Sequence, residues 1–243
     1  PPETHEYYSG LHVLEKCLAD VPNLKIVQVE ADEPCPQAPE LIDQADGIVL
    51  YLGEGGRWMQ LEEKRREAVE RLAARGGGIV GLHWGIGAKD DEYVPFHVKH
   101  MGGMHGGSDR TYVMTETDVK IVAPQHPIAR DVHLSRLEDE YYYQLKFAKE
   151  GTVAPILEAT IDGQPETIAW AYDRADGGRS FGFGGMHYHA NWAMPDCRRL
   201  VAQGVLWTLR LPIPEEGLEC QVTEEDLRIL PGEATWKPKA KKE

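Results

Sequence analysis

Residues 76–88, with the sequence GGGIVGLHWGIGA, constrain the fold of this chain more than any other segment. Ile79 and Val80 are β-branched, lie between glycines and follow a long, charged helical pattern. That combination is typical of a buried parallel strand that a helix precedes. The segment therefore predicts a helix, a buried strand and then a tight turn that carries His83.

The turn has the spacing Gly81-Leu82-His83-Trp84-Gly85. A G-x-nucleophile-x-G pattern forms an elbow, in which small residues let a strand turn sharply into a helix and present the central side chain. Histidine is a poor acyl nucleophile but a good metal ligand and proton carrier. The pattern therefore indicates a functional histidine, but it does not indicate hydrolysis by a catalytic triad. A buried structural histidine with a satisfied hydrogen bond is the alternative.

The net charge of −14 argues against several classes of partner. With 26 Lys and Arg against 40 Asp and Glu, the chain has no basic field that would hold nucleic acid or an anionic membrane surface. Its apolar runs all fall short of the roughly 20 residues needed to span a bilayer. Residues 53–56 are glycine-rich but lack the Lys-Ser/Thr of a phosphate-binding loop, so no nucleotide cofactor is expected.

The length of 243 residues, of which 42% are hydrophobic, fits one large domain. We expect a single α/β domain over residues 1–211 and a partly disordered C-terminal extension over residues 212–243. The opening PPETHEYYSG leads straight into a helix. We therefore expect a first strand to be missing ahead of residue 1, with an export signal as a second candidate. Cytoplasmic and periplasmic locations stay open, and so does a homo-oligomer.

Hydrophobic periodicity predicts the remaining elements. Strands are predicted at residues 24–30, 45–52, 112–115, 119–122, 152–157, 166–172 and 179–185. Helices are predicted from residue 11 to about residue 20 and at residues 41–44, 58–75 and 195–209. In the third helix, Leu61 is expected to face inward and the EEKRRE run to face solvent. This order predicts an α/β fold with a doubly wound, mostly parallel sheet flanked by helices and an antiparallel extension.

Residues 90–110 are rich in Gly, Met and His and show neither a helical nor a strand period. An irregular segment of this length inside a compact domain is usually functional. We expect it to form a mobile lid over the site with hinges at its glycines. His97, His100 and His105 lie on it.

The ten histidines are the unusual part of the composition. His187 and His189 are two residues apart after a predicted strand, so in an extended chain they share a face and can chelate one ion. Because ligands in such sheets bind beyond the carboxyl ends of the strands, His83 is expected at the same rim. We predict a metal site of His83, His187 and His189. Neutral imidazoles favour Zn²⁺, with Ni, Fe and Mn left open. A metal-free sugar pocket lined by histidines and a set of unconnected structural histidines are the alternatives.

Catalytic roles are assigned to His83, His187 and Glu140. Glu140 belongs to an acidic pair before three tyrosines, for which a solvated helix start is the competing interpretation. Candidate substrate-binding residues follow the same two segments, and the aromatic ones offer flat faces for a sugar ring or pack in the core. They are Trp84, His105, Tyr188, Asn191 and Trp192.

Several motifs in order resemble the ThuA-like, or trehalose-utilisation, family. They are GGGIVGLHWG, QHPIARDV, EDEYYYQLKF, PETIAWAY and GGRSFGFGGMHYHANW before a helix that ends GVLWTL, and they extend from about His5 to Leu211. The resemblance implies a fold similar to class I glutamine amidotransferases, which is flavodoxin-like, and a role in bacterial sugar metabolism. It also places His83 where amidotransferases have their nucleophilic cysteine, and His187 near their catalytic histidine. Glutaminase activity is therefore not expected.

Together these observations predict an enzyme that acts on a small carbohydrate, as a sugar, a keto-sugar or a glycoside. The reaction would be isomerisation, epimerisation, elimination or hydrolysis at a histidine-rich, metal-dependent site. The alternative is a non-catalytic sugar-binding or scaffold protein on an amidotransferase-like fold without the nucleophile. Convergence of His83, His187 and His189 in one pocket would favour the enzyme.

Overall fold

A computed structural model describes residues 5–231. The α-helices are α1 (Tyr7–Leu18), α2 (Ala38–Gln44), α3 (Gly55–Trp58), α4 (Glu63–Ala74), α5 (Val94–Met101) and α6 (Pro195–Thr208). The strands are β1 (Gly47–Leu50), β2 (Gly78–Leu82), β3 (Gly87–Ala88), β4 (Gly103–Gly106), β5 (Thr111–Ile121), β6 (Arg136–Tyr143), β7 (Lys146–Phe147), β8 (Thr152–Ile161), β9 (Gln164–Asp173) and β10 (Arg179–Phe183). Short 3-10 helices lie at His83–Ile86, Asp91–Tyr93, Pro127–Ala129 and His189–Ala193.

The main sheet has seven strands in the order β1-β2-β10-β9-β8-β5-β6. β2 pairs in parallel with both β1 and β10. The remaining pairs are antiparallel. The predicted α/β class and antiparallel extension are therefore confirmed, and the sheet as a whole is mixed. A small second sheet, β3-β4-β7, lies beside it.

Two hydrophobic clusters cover opposite faces of the parallel strands. Val80 packs in a cluster with Leu14 of α1 and Leu200 of α6. Ile79, its neighbour in β2, packs in another with Ile42 of α2 and Leu72 of α4. Successive side chains of a strand point to opposite faces, so one run of apolar residues supplies both clusters. This burial on both faces fixes β2, and with it the turn that follows.

The strand predicted at residues 24–30 is not formed. These residues have no regular secondary structure and belong to neither sheet. A strand requires a hydrogen-bonded neighbour, which the alternating apolar pattern does not specify. In contrast, the two predicted strands at 112–115 and 119–122 form one strand, β5, which pairs with the unpredicted β6.

The helix predicted at residues 58–75 begins later, at Glu63. Leu61 is 42% exposed rather than inward-facing. Arg65, which was expected in a solvated run, is fully buried, donates to both carboxylate oxygens of Glu33 and lies over the ring of Trp58. Paired and stacked in this way, the guanidinium avoids the cost of an uncompensated buried charge.

Residues 90–110 are not the irregular lid that the sequence predicts. They contain α5 and β4, and their glycines at 102, 103, 106 and 107 are buried. His97 and His100 are buried on α5. Proline at the start of α5 and a left-handed glycine at its end delimit a helix too short to show a clear period.

The described part of the C-terminal extension, residues 212–231, packs on the domain. Leu218 N donates to Gln203 Oε1 of α6, and Leu230 N donates to Ser9 Oγ of α1. The rest of the predicted disordered segment, 232–243, lies outside the described residues. Within residues 5–231, every helix is too short or too polar to cross a bilayer.

Candidate functional site

His83 lies at the tip of a sharp turn after β2. Its φ of +48° is in the left-handed region, which costs a non-glycine residue about 1–2 kcal/mol. The turn continues as a 3-10 helix, whose Gly85 packs so closely that an added Cβ would lie 2.0 Å from the Leu50 carbonyl oxygen. The predicted elbow is therefore formed, and it holds a fully buried imidazole at the carboxyl end of β2.

Two further histidines and one glutamate converge on this imidazole. His83 Nε2 lies 3.1 Å from His187 Nδ1, 3.3 Å from His5 Nε2 and 3.5 Å from Glu140 Oε2. His187 Nδ1 lies 3.3 Å from the same Glu140 oxygen. One ligand atom from each of the four residues lies within 4.8 Å of the others. We call these four residues the His–Glu cluster.

Four of the six spacings among these atoms are compatible with a metal-ligand set. In a tetrahedral site with bonds of 2.0–2.1 Å, neighbouring ligand atoms lie roughly 3.3 Å apart. The four distances measured here, from 3.1 to 3.5 Å, scatter around that value. Three imidazole nitrogens and one carboxylate oxygen are also a donor set that suits zinc. The residues therefore fit a divalent ion of this type.

The protonation states of the three histidines also suit a metal ion. Burial lowers the pKa of His83 well below its usual value, and the neighbouring His187 and His5 add to the effect. Burial likewise lowers the pKa of His5, and that of His187 to about 4. His83 Nδ1 faces the Gly184 carbonyl at 3.4 Å. Because that oxygen can only accept, assigning the proton to Nδ1 leaves the Nε2 lone pair directed into the cluster.

Asp139 holds β6 against the segment that follows β10. It is fully buried and accepts hydrogen bonds from the backbone N–H groups of Glu140, Met186 and His187 and from Asn191 Nδ2. Burial raises its pKa to about 7, whereas these four donors favour the carboxylate. One side chain on β6 thus sets the positions of two cluster members, Glu140 on the same strand and His187 on the segment after β10.

Tyr142 connects the cluster to the interior. Its hydroxyl donates to Glu140 Oε2 at 3.0 Å and lies 3.2 Å from His83 Nε2. Its ring stacks on His83 on one side and on His105 on the other, with centroids 5.1 and 3.9 Å apart. Trp84 is partly exposed and lies 5.3 Å from the His105 ring.

The structure brings together His83, His187 and Glu140 but separates His189 from them. After Tyr188 the chain enters the 3-10 helix at His189–Ala193, so the alternation expected of an extended chain ends there. His189 Nε2 instead lies 2.9 Å from the Leu227 carbonyl oxygen. The predicted triad of His83, His187 and His189 is therefore replaced by the His–Glu cluster.

Two of the candidate sugar-binding residues have other roles in this geometry. Trp192 is fully buried in the core beside Tyr51, so it presents no face to a ligand. Asn191 donates to Asp139 and to the Glu138 carbonyl oxygen, which makes it a support for the cluster. Tyr188 and Trp84 are partly exposed and lie next to the His–Glu cluster.

Sequence reasoning missed His5 and the hydroxyl of Tyr142. His5 directly precedes α1, and its N–H donates to the His187 carbonyl oxygen. His5 lies outside every predicted element, so hydrophobic periodicity gives no signal that could have found it. Glu140 and Tyr142 are two apart on β6, so recognising that strand would have placed both on one face.

Comparison with known protein families gives one match over most of the chain. The family model described as ThuA, trehalose utilisation, matches residues 3–208. The chain belongs to the ThuA family. No curated protein is significantly similar to it in sequence.

Solved structures resemble this ThuA-family protein in fold. A ThuA-like protein from Bacteroides uniformis is 15% identical with a TM-score of 0.65, over 84% of this chain and 85% of that one. One from Parabacteroides merdae is 15% identical with a TM-score of 0.63, over 89% and 92%. A cytoplasmic protein from Salmonella typhimurium is 16% identical with a TM-score of 0.55, over 81% and 85%. The resemblance inferred from the motifs is therefore confirmed.

The site of this ThuA-family protein contains no thiol. The four free cysteines lie outside the His–Glu cluster; they are Cys17, Cys35, Cys197 and Cys220. The site therefore combines a nucleophile-elbow geometry with a set of side chains that could hold a metal ion.

The metal-free protein is expected to lose stability as the pH falls from about 6.5 to 4. Burial lowers the pKa of four histidines to about 3 or about 4; these are His97 and His105, at about 3, and His100 and His187, at about 4. The unfolded chain takes up these protons near pH 6.5, so it binds more protons than the folded state in this window. Acidification therefore lowers the free energy of unfolding.

Two carboxyl groups oppose this loss, because burial raises the pKa of Asp139 to about 7 and raises that of Glu140. Each uncompensated histidine contributes about 1.4 kcal/mol per pH unit, so four such histidines against two carboxyl groups give a slope of about 3 kcal/mol per pH unit. The lowered pKa of His83 makes the slope steeper. Urea unfolding in chelator at pH 6.5 and pH 5 measures it, and a flat profile would contradict the expectation.

Proposed function

We propose that this protein is a carbohydrate-processing enzyme that moves a proton next to the carbonyl of a keto-sugar, with a divalent ion held by the His–Glu cluster. The observation that carries the proposal is the convergence of His83, His187, His5 and Glu140 at metal-ligand spacing. Membership of a trehalose-utilisation family supports the carbohydrate as the substrate class.

The three histidines are assigned to the ion and the glutamate to the proton. His5, His83 and His187 carry neutral imidazoles, because burial lowers the pKa of each, and neutral imidazole is the form that binds a metal. A bound ion, with Zn²⁺ favoured, would polarise the carbonyl of the sugar and so acidify the neighbouring C–H.

Glu140 is suited to take that proton. Burial raises its pKa toward neutrality, which strengthens it as a base, and its side chain retains about 10% exposure while His83 has none. The carboxylate takes the proton from carbon, and the C–H electron pair forms a C=C bond as the carbonyl oxygen gains negative charge. The Tyr142 hydroxyl, which donates to Glu140 Oε2, holds the carboxylate in place.

The fate of the proton decides the reaction type. Return to the same carbon from the other face gives epimerisation, and return to the former carbonyl carbon gives isomerisation. If a glycosidic oxygen lies one carbon beyond, its departure as the C=O bond re-forms gives elimination. Trp84 and Tyr188, which are partly exposed beside the cluster, are assigned to the sugar ring. His105 is buried against the Tyr142 ring and presents no face to a ligand.

Deuterium incorporation tests the proposal. The chelator-treated protein, reloaded with Zn²⁺ or Mn²⁺, is incubated in D₂O with keto forms of trehalose and simple glucosides, and exchange at the carbon next to the carbonyl is followed by NMR. We expect exchange that depends on the ion, with the parent sugars as controls because they lack an acidified C–H. Sugar binding without exchange under any of the ions would favour the alternative, a non-catalytic sugar-binding protein.

A further inference from the structure

The C-terminal extension follows one face of α1 in the direction opposite to the helix. Leu230 N donates to Ser9 Oγ in the first turn, and Asp226 Oδ1 lies 3.6 Å from Lys16 Nζ in the last turn. Positions 9 and 16 are two helical turns apart, so they share a face of the helix. Residues of the extension that precede position 226 are therefore directed to the end of α1.

Cys220 meets Cys17 at this end of α1. The Cys17 thiol donates a hydrogen bond to the Cys220 sulfur, and both side chains pack in the hydrophobic cluster that contains Leu14. Cys17 is buried, whereas Cys220 is only partly buried. The fold thus brings together two free thiols that are far apart in the chain, and the one nearer to solvent is Cys220.

Two arginines of α6 add positive charge beside this pair. The hydrogen bond from Cys17 lowers the pKa of the Cys220 thiol most, and Arg198 and Arg199 lower it further, while burial opposes them. Arg198 is 7% exposed, and its buried Nε has no hydrogen-bond partner within residues 5–231. A buried guanidinium with an unused donor favours an anion beside it. A Cys220 thiolate is such an anion, and the thiolate is the reactive form of cysteine.

We propose that Cys17 and Cys220 form a reversible disulfide that fastens the C-terminal extension to α1. The Cys220 thiolate attacks one sulfur of a small disulfide, here oxidised glutathione, releases one glutathione thiolate and becomes a mixed disulfide. The Cys17 sulfur then attacks the Cys220 sulfur and displaces the second glutathione, which takes the Cys17 proton. Two protein thiols are oxidised, and one glutathione disulfide is reduced to two thiols. The inference is independent of the proposed reaction.

The disulfide changes how firmly the extension is held. In the reduced protein the extension is attached to α1 by single hydrogen bonds and by the ion pair of Asp226 with Lys16, whose side chain is 43% exposed. Exposed ion pairs contribute little to stability. A disulfide between Cys17 and Cys220 closes most of the chain into one loop, and the stabilisation by a disulfide grows with the length of the loop. Oxidation should therefore raise the stability of the whole domain.

Equilibration of the full chain in glutathione buffers tests the proposal. The protein is incubated at a series of ratios of reduced to oxidised glutathione, its free thiols are alkylated, and its peptides are mapped by mass spectrometry without reduction. We expect a Cys17–Cys220 linkage whose fraction rises with oxidised glutathione and which dithiothreitol reverses. The oxidised protein should have a Tm about 5 °C or more above that of the reduced protein.

Cys220→Ser and Cys35→Ser are the matched variants. Cys220→Ser lacks one partner, so its Tm should be the same in oxidising and reducing buffers. The Cys35 thiol contacts the Glu30 carbonyl oxygen and not another cysteine, so Cys35→Ser should keep both the linkage and the shift in Tm. In the reduced parent, iodoacetamide should modify Cys220 at least about tenfold faster than the buried Cys197.

Three results would overturn the proposal. The first is four unlinked thiols under excess oxidised glutathione. The second is a mixed disulfide with glutathione at Cys220 as the final product, which would show that Cys17 does not reach it. The third is a linked protein whose Tm is no higher than that of the reduced protein, which would show that the bond does not fasten the extension in its observed position.

Discussion

Alanine at position 83 will remove the bound ion and abolish deuterium exchange into a keto-sugar. His83 Nε2 lies within 3.5 Å of the three other ligand atoms, so it is the central member of the His–Glu cluster. Loss of an outer-shell partner alone costs about 10–100-fold in metal affinity, and loss of a ligand should cost more. Metal content after gel filtration and a zinc titration measure the effect, and His5→Ala and His187→Ala should behave alike.

His189→Ala is the matched control for this loss. His189 is buried and follows His187 by two residues, but its ring contacts the Leu227 carbonyl oxygen rather than the cluster. The variant should keep its metal and lose about 1 kcal/mol of stability with that hydrogen bond. If His189→Ala loses metal as completely as His83→Ala, or if the parent binds no ion and its thermal midpoint ignores chelator, the cluster is not a metal site.

Glu140→Gln should separate metal binding from proton transfer. Glutamine has nearly the same shape and still accepts the Tyr142 hydrogen bond, but it cannot take a proton from carbon. We expect the rate of deuterium exchange to fall by about 10²–10⁴-fold, the usual contribution of a general base, while the three histidines retain the ion. Exchange rates and metal content on the same preparation give both quantities.

Tyr142→Phe provides the comparison for the glutamate variant. It removes the hydroxyl that positions Glu140 but keeps the ring between His83 and His105. The exchange rate should fall by less than in Glu140→Gln, and its pH dependence should move because the carboxylate loses a hydrogen bond. A Glu140→Gln protein that exchanges at the parent rate would place the base elsewhere.

The fold could be predicted where burial produces a regular apolar pattern in the sequence. β2 contributes to both hydrophobic clusters, and β10 and α6 pack in the first of them, so their residues are apolar in runs or at helical spacing. Residues 24–30 have the same kind of pattern but no neighbouring strand, and hydrogen-bond partners are a property of the tertiary structure. α5 was missed because eight residues with a proline at the start give too few turns for a period to appear.

The site could be predicted only in part, for a related reason. His83 and His187 follow strands that end at the same rim. Ligands in such sheets bind beyond the carboxyl ends of the strands, and this rule can be applied to the sequence directly. His189 is excluded from the cluster because the chain enters a 3-10 helix directly after Tyr188. The two-residue alternation expected of a strand does not predict this helix. Arg65 shows the same limit, since its burial depends on Glu33, 32 positions earlier in the chain.

The four hydrogen bonds to Asp139 make the cluster mechanically uneven. Because one carboxylate holds the backbone of both Glu140 and His187, these two residues shift together, and the elbow after β2 holds His83 independently. His5 is held to this frame by its N–H, which donates to the His187 carbonyl oxygen, and by contacts of its ring with the rings of Tyr7, His83 and His187. A substitution of Asp139 would therefore displace Glu140 and His187 together while His83 keeps its position at the elbow.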